Sequence, residues 1–297
     1  MMWLKGVGVG LAVAILILVG LCLLQLQDRP AELALGERVV IQGPGGELVY
    51  YRSGEGETVI LLPSFARSAS DFNALTDALH RAGYRTLALQ PRGIEGSELG
   101  EWRVGLQDYA ADVAAMLDAE EIVRVGAVIG HAYGNRVARV FASRYPERVG
   151  VLVLLAAGGE GPPAAKVSAA VRTAVFGFDG AARTDAIQYS FFASGNVPPA
   201  SWVTGWYPLA ALQQARATTA QTYDSWSDGG RAPMLVLQPA EDRAAPADQS
   251  AVFAERYAGR VTRHVIAGSG HALLPEQPAE VAALILGYLN QTQHGAL

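Results

Sequence analysis

One five-residue stretch decides the fold of this chain: Gly130-His131-Ala132-Tyr133-Gly134. A mostly apolar segment, residues 123–129, precedes it and predicts a buried strand, whereas residues 135–145 have the spacing of a helix. The two glycines allow the chain to turn sharply from strand to helix and let the two elements pack closely. We therefore expect a tight strand–turn–helix unit that pushes Ala132 outward at the beginning of a helix.

The residue at the apex of this turn is the most informative one in the chain. Turns of the form Gly-x-Ser-x-Gly present a serine hydroxyl as a nucleophile. Ala132 stands at that position here, and a methyl group has no atom that can attack a carbonyl. The turn thus has the form of a nucleophile-bearing turn without its nucleophile, with Ala132 at the nucleophile position.

The composition excludes several classes of protein. Of the 297 residues, 51% are hydrophobic and 17% are charged, which favours a globular chain with a large core over disorder. The net charge is −5 and the basic residues are scattered, so we expect no nucleic-acid partner. The only cysteine is Cys22, which excludes disulfides and thiolate metal sites. We predict neither a metal ion nor a cofactor.

The N-terminus resembles a targeting segment. Lys5 is followed by residues 6–24 without a charge, close to the length of about 20 residues that crosses a bilayer as a helix. We predict a transmembrane helix that acts as an uncleaved signal anchor within residues 1–27, with the rest of the chain outside the cytoplasm. A cleaved signal peptide, and hence secretion, is the alternative. Residues 28–37 are interpreted as a linker.

Downstream of the linker, strand and helix patterns alternate in two blocks, residues 38–157 and 231–297. Largely apolar strands separated by helices predict a parallel sheet covered on both faces. The pattern is interrupted over residues 158–230, which are rich in aromatic side chains and in Gly and Pro. We predict that this stretch is a cap inserted between the two halves of an α/β core, and its aromatic residues either line an apolar pocket or form a core.

Two polar residues follow late strands of the predicted sheet. Asp242 comes after an apolar strand, and His271 follows the last strand in the turn Gly268-Ser269-Gly270-His271. Side chains at these strand ends meet at the ligand-binding edge of an α/β sheet. We predict that Asp242 orients the His271 imidazole and that His271 acts as a base. The alternative acids are Glu241, Asp248 and Glu160.

The loop after the strand at residues 58–62 is the predicted source of an oxyanion site. The main-chain N–H of Phe65 in this loop and the N–H of Tyr133 are the two candidate donors. Ser64 and Ser68 lie in the same loop, where each is either a displaced nucleophile or a residue that caps and hydrogen-bonds the loop. His131, beside the apex, is expected to pack against the sheet.

These motifs together resemble the α/β-hydrolase superfamily, in its branch of esterases and haloperoxidase-like enzymes. Two further segments are typical of that family: Pro91-Arg92-Gly93-Ile94-Glu95-Gly96-Ser97, and the His271 turn followed by Glu276 and Pro278. The resemblance implies an α/β-hydrolase fold with an eight-stranded, mostly parallel sheet, helices on both faces and a cap. The chain departs from the family at Ala132 and at Pro63-Ser64, where His-Gly is usual.

Three interpretations of function follow. In the first, His271 and Asp242 activate a water that hydrolyses an ester or related small acyl substrate. In the second, the chain is a pseudoenzyme that binds a small apolar ligand without converting it. In the third, an original serine has been exchanged for Ala132 to inactivate a hydrolase. The expected partners are a small apolar or acyl compound and, through the N-terminal segment, a membrane.

Overall fold

The computed structural model of the protein describes residues 19–20, 23–24, 26–30, 32–158, 161 and 163–293. At its centre is one sheet of eight strands in the order β1-β2-β4-β3-β5-β6-β7-β8. β2 runs antiparallel to both of its neighbours, β1 and β4, and all other neighbouring strands are parallel. The predicted eight-stranded, mostly parallel sheet is confirmed. The strands are β1 (Glu37–Gly43), β2 (Gly46–Ser53), β3 (Glu57–Leu62), β4 (Tyr84–Leu89), β5 (Val125–His131), β6 (Val149–Leu155), β7 (Met234–Pro239) and β8 (Val261–Ile266).

Helices cover both faces of the sheet. They are α1 (Asn73–Arg81), α2 (Leu106–Ala119), α3 (Tyr133–Arg144), α4 (Ala165–Phe176), α5 (Ala181–Phe191), α6 (Ala200–Val203), α7 (Pro208–Thr219), α8 (Ala247–Arg256), α9 (Leu273–Glu276) and α10 (Pro278–Gln293). Short 3₁₀ helices occupy Ala69–Phe72, Pro146–Arg148 and Tyr223–Ser225. Helices α4 to α7 lie between β6 and β7 in the chain, within the stretch interpreted as a cap.

The central strands are apolar along their whole length because both of their faces are covered. In β3, Ile60 and Leu62 belong to the core beneath α2 and α3, whereas Val59 and Leu61 belong to the core beneath α1 and α10. This alternation is the two-residue period of a strand. The continuous apolar run that predicted a parallel sheet therefore reflects two separate cores.

The prediction of a transmembrane helix at the N-terminus needs correction. None of the helices within the described residues is long and apolar enough to cross a membrane. The longest of them, α10, has 16 residues, fewer than the roughly 20 that a bilayer requires. Of the predicted span at residues 6–24, only residues 19, 20, 23 and 24 are described, and the rest lies outside the described residues. The prediction of a signal anchor rests on the same segment and is wrong for the same reason.

Candidate active site

The turn between β5 and α3 places Ala132 at a sharp apex. Ala132 has φ 48° and ψ −103°, a conformation that residues with a side chain rarely adopt. A Cβ on Gly130 would come 2.5 Å from the Asn135 Cα, and one on Gly134 would overlap the Leu62 carbonyl. Both glycines are therefore required by close packing. Ala132 is partly exposed although its neighbours on either side are buried.

The structure brings His271 and Asp242 together. The His271 Nδ1 lies 2.9 Å from Oδ2 and 3.1 Å from Oδ1 of Asp242, so the ring donates from Nδ1 to the carboxylate. The same carboxylate accepts the N–H groups of Ala244 at 2.9 Å and Ala245 at 2.7 Å. The Asp242 side chain is 0% exposed and that of His271 is 9% exposed. A proton on Nδ1 leaves Nε2 of the neutral ring free to accept one.

The alternative acids have other partners. The Glu241 carboxylate accepts the N–H of Ser194 at 3.0 Å, and Asp248 is exposed in the first turn of α8, where it accepts the N–H of Gln249. Neither forms a hydrogen bond or ion pair with His271 in the described part of the chain. Glu160 lies outside the described residues.

His131 is buried directly behind His271. Its Nε2 donates to the main-chain oxygen of His271 at 2.8 Å, and the two ring centroids are 5.3 Å apart. Burial, followed by the nearby His271, lowers the pKa of His131 to about 3. The ring is therefore neutral at physiological pH, and its Nδ1 has no hydrogen-bond partner among the described residues.

The two predicted oxyanion donors lie on neighbouring segments. The Phe65 and Tyr133 rings meet edge to face with centroids 6.5 Å apart. The N–H of Tyr133 is the first of α3, where the helix dipole favours negative charge. The next amide along the loop, that of Ala66, donates to Oε1 of Gln214 in α7 at 2.8 Å. The cap helix α7 thus helps to fix the Phe65 loop.

The two loop serines have structural contacts. Ser64 is buried, and its carbonyl oxygen accepts the N–H of Arg67 at 3.2 Å. Ser68 is fully buried and caps the 3₁₀ helix, since its Oγ accepts the N–H of Ser70 at 3.3 Å and lies 2.7 Å from the Ser70 Oγ. These contacts fit the capping interpretation of Ser68.

Arg67 connects the Phe65 loop to the cap, and sequence reasoning assigned it no role. Its guanidinium pairs with Asp71 through two hydrogen bonds, and both side chains are almost fully buried. It also donates to the main-chain oxygens of Ser201, Thr204 and Gly205 in the cap. A lone arginine in a loop gives no signal of partners more than 130 residues away.

The cap aromatics form a core of their own. Phe191, Trp202 and Trp206 are at most 6% exposed and pack on one another with centroids 5.2 to 5.9 Å apart. The Arg67 guanidinium lies 4.3 Å from the Trp202 ring centroid, and the Phe191 ring lies 5.8 Å from that of His271. Of the two interpretations of the aromatic-rich stretch, this packing favours a core over an open apolar pocket.

Within the described part of the chain, no group of three or more His, Cys, Asp or Glu side chains is arranged to hold a metal ion. The imidazole of His271 and its carboxylate partner Asp242 lie beside the elbow, because the main-chain oxygen of His271 accepts a hydrogen bond from His131, the residue before Ala132. Such an arrangement can move one proton and stabilise one developing negative charge.

The fold and the elbow define a class of protein that comparison with known families identifies. Residues 59–284 match the alpha/beta hydrolase family, and the chain belongs to that family.

Individual relatives agree with this assignment at modest identity. A 2-hydroxy-6-oxononadienedioate/2-hydroxy-6-oxononatrienedioate hydrolase of Paraburkholderia xenovorans is 36% identical over 121 residues, which are 39% of this chain and 42% of that protein. The match thus spans less than half the length of that curated relative. An esterase of Thermogutta terrifontis superposes with a TM-score of 0.72 at 20% identity over 86% of this chain and 99% of its own. An esterase of Exiguobacterium antarcticum superposes with a TM-score of 0.73 at 17% identity, over 86% of this chain and 100% of its own. At such identities these two structures show the shared fold alone.

Proposed function

We propose that this alpha/beta hydrolase cleaves an ester or related small acyl compound by activating water instead of forming a covalent intermediate. The observation that supports this most is the His271–Asp242 pair, joined at 2.9 Å with a fully buried carboxylate. The main-chain oxygen of His271 accepts a hydrogen bond from His131, whose neighbour in the chain is Ala132 at the apex of the elbow. A base with a free Nε2 and no hydroxyl to deprotonate has water as its natural partner.

The reaction balances with these residues alone. His271 Nε2 accepts a proton from water while the water oxygen forms a bond to the carbonyl carbon. The carbonyl oxygen becomes an oxyanion and is stabilised by the N–H groups of Phe65 and Tyr133. When the intermediate collapses, the bond to the leaving oxygen breaks and that oxygen takes the proton from His271. The products are an acid and an alcohol, and Asp242 stays ionised throughout.

The expected rate is modest. Triads that lack one member keep about 10³- to 10⁴-fold acceleration over water, from the oxyanion site and from substrate binding. A positioned general base typically contributes about 10²- to 10⁴-fold. We therefore expect slow turnover that depends on His271 and leaves no acyl group on the protein.

The test is hydrolysis of short p-nitrophenyl esters by the purified full chain and three variants. His271→Ala is expected to lower kcat/KM by about 100-fold or more. His264→Ala is the matched control, because His264 is an exposed histidine on β8. Ala132→Ser is expected to release a burst of p-nitrophenol, the sign of an acyl-enzyme, and the parent chain is expected to show none.

Three results would contradict the proposal. Equal rates for the parent chain and His271→Ala would mean that His271 is not the base. Activity confined to Ala132→Ser would mean that the chain is an inactivated hydrolase. Tight binding of an apolar ester without turnover by any version would instead favour the binding-protein interpretation.

A further inference from the structure

We infer that Glu276 is a positioning residue that fixes His271 to the cap. Glu276 closes the short helix α9, five residues after His271. Its Oε2 accepts the main-chain N–H of Gly270 at 2.7 Å, and Gly270 directly precedes His271. One carboxylate oxygen of Glu276 therefore holds the main chain that carries the imidazole.

The other carboxylate oxygen binds the cap. Oε1 of Glu276 accepts the N–H of Ala193 at 2.8 Å and the Asn196 Nδ2 at 2.7 Å. The Asn196 Nδ2 also donates to the carbonyl of Gly268 at 3.0 Å. A single ionised side chain thus joins the end of α5 to the His271 turn, through hydrogen bonds of the charge-assisted kind.

Close packing supports the same joint. A Cβ on Gly270 would come 2.6 Å from the Phe192 carbonyl carbon and 2.7 Å from the Phe191 oxygen. On the far side of His271, the N–H of Ala272 donates to that Phe191 oxygen at 2.8 Å. Residues 191–196, which we call the cap joint, therefore pack directly against the His271 turn.

The consequence is mechanical coupling between the cap and the base. Displacement of the cap joint removes the Ala193 and Asn196 donors from Glu276 and the Phe191 acceptor from Ala272. The Ala272 N–H then has lost its acceptor, and Glu276, which holds the Gly270 N–H, has lost the donors that fix its position, so the Nδ1–Asp242 hydrogen bond loosens. His271 is aligned as a base only while the cap joint packs against the His271 turn. This last statement rests on the proposed function, whereas the placement of His271 does not.

The experiment compares Glu276→Gln with Glu280→Gln in the full chain. Glutamine has one acceptor oxygen, and its NH₂ group would face a main-chain donor, so it cannot serve both sides of the joint. Glu280 is an exposed glutamate in the next helix, which makes the same change of charge a matched control. The readouts are the downfield proton NMR signal of His271 Nδ1–H and the hydrogen exchange of the Gly270 and Ala193 amides.

We expect Glu276→Gln to shift or broaden the Nδ1–H signal and to speed exchange of both amides by at least about tenfold, with Glu280→Gln unchanged. Identical spectra and exchange rates in the two variants would overturn the inference. If Glu276→Gln fails to fold, the same measurements on Asn196→Ala test the inference. That smaller change should also speed exchange at Gly270, and unchanged exchange would count against the joint.

These readouts need no turnover, so they separate this inference from the proposed hydrolysis. A changed Nδ1–H signal in a chain without hydrolytic activity would leave Glu276 as a positioning residue and reject the proposed function. Hydrolysis that depends on His271, together with an Nδ1–H signal that does not change in Glu276→Gln, would support the proposed function and reject the positioning role of Glu276.

Discussion

The buried imidazole of His131 donates a hydrogen bond to the main-chain oxygen of His271 at 2.8 Å. One neutral histidine therefore helps to hold the backbone of the other. Because burial keeps His131 neutral far below the pH at which an exposed histidine takes up a proton, this contact links the site to the acid stability of the whole fold.

We predict that His131 makes the protein sensitive to mild acid. Its pKa is lowered from 6.5 to about 3, so below pH 6.5 the unfolded chain binds a proton that the folded chain does not. The stability that depends on this residue falls as the pH drops through 6.5 towards 3, by about 2 kcal/mol between pH 7 and pH 5. His131→Gln keeps a donor near the position of Nε2 and removes this loss, as urea unfolding at pH 7 and pH 5 will show.

The control for this prediction is His80→Gln, because His80 is exposed near the end of α1. Its loss of stability between the two pH values should match that of the parent chain. If His131→Gln also lost as much stability as the parent, another group would be responsible for the acid sensitivity.

We predict that Ala132→Gly stabilises the protein by about 1 kcal/mol. Ala132 has φ 48°, and a side-chain-bearing residue in such a region costs about 1–3 kcal/mol, partly offset by the larger entropy of unfolded glycine. Ala215→Gly is the control with the opposite expected sign, since Ala215 is exposed within α7 and loses about 0.5–1 kcal/mol. Free energies of unfolding from urea titrations measure both. A loss of stability in both variants would show that the apex is unstrained.

We predict that Arg67→Met destabilises the protein by about 3–5 kcal/mol, because it leaves the buried Asp71 carboxylate without its partner. Arg81→Met breaks an ion pair with Asp77 that has the same four-residue spacing but is exposed. That loss should stay within about 0.5 kcal/mol. The two unfolding free energies compare a buried pair, together with the cap contacts of Arg67, with an exposed pair of the same spacing. Similar losses in both variants would contradict the prediction.

Local patterns were sufficient to predict the sheet and the elbow. The apex at Ala132 could be located because two glycines, a buried strand and a helix are adjacent in sequence. His271 could be placed at the same edge because it follows the last strand of a parallel sheet. The two residues are 139 positions apart, yet the topology of the sheet alone brings their loops to one side.

The contacts that hold the site could not be predicted in this way. The sequence marks Glu276 only as typical of the family, and nothing near it in sequence indicates that Ala193 and Asn196 of the cap donate hydrogen bonds to it. Arg67 and Gln214 pose the same difficulty, because a polar side chain does not specify a distant partner. At the N-terminus the sequence predicts more than the structure provides. Hydropathy alone predicts a membrane-spanning helix there, but none of the described helices is long and apolar enough to be one.

The tight packing of Gly130 and Gly134 has a consequence for protein engineering. The neighbours on either side, and not the residue at position 132, set the course of the backbone there. Thiol, hydroxyl and carboxylate side chains can therefore be installed in turn at this one point. If the proposed function holds, each would face the His271 imidazole, and the chain would be a scaffold for measuring how intrinsic nucleophilicity affects catalysis when the backbone geometry is held constant.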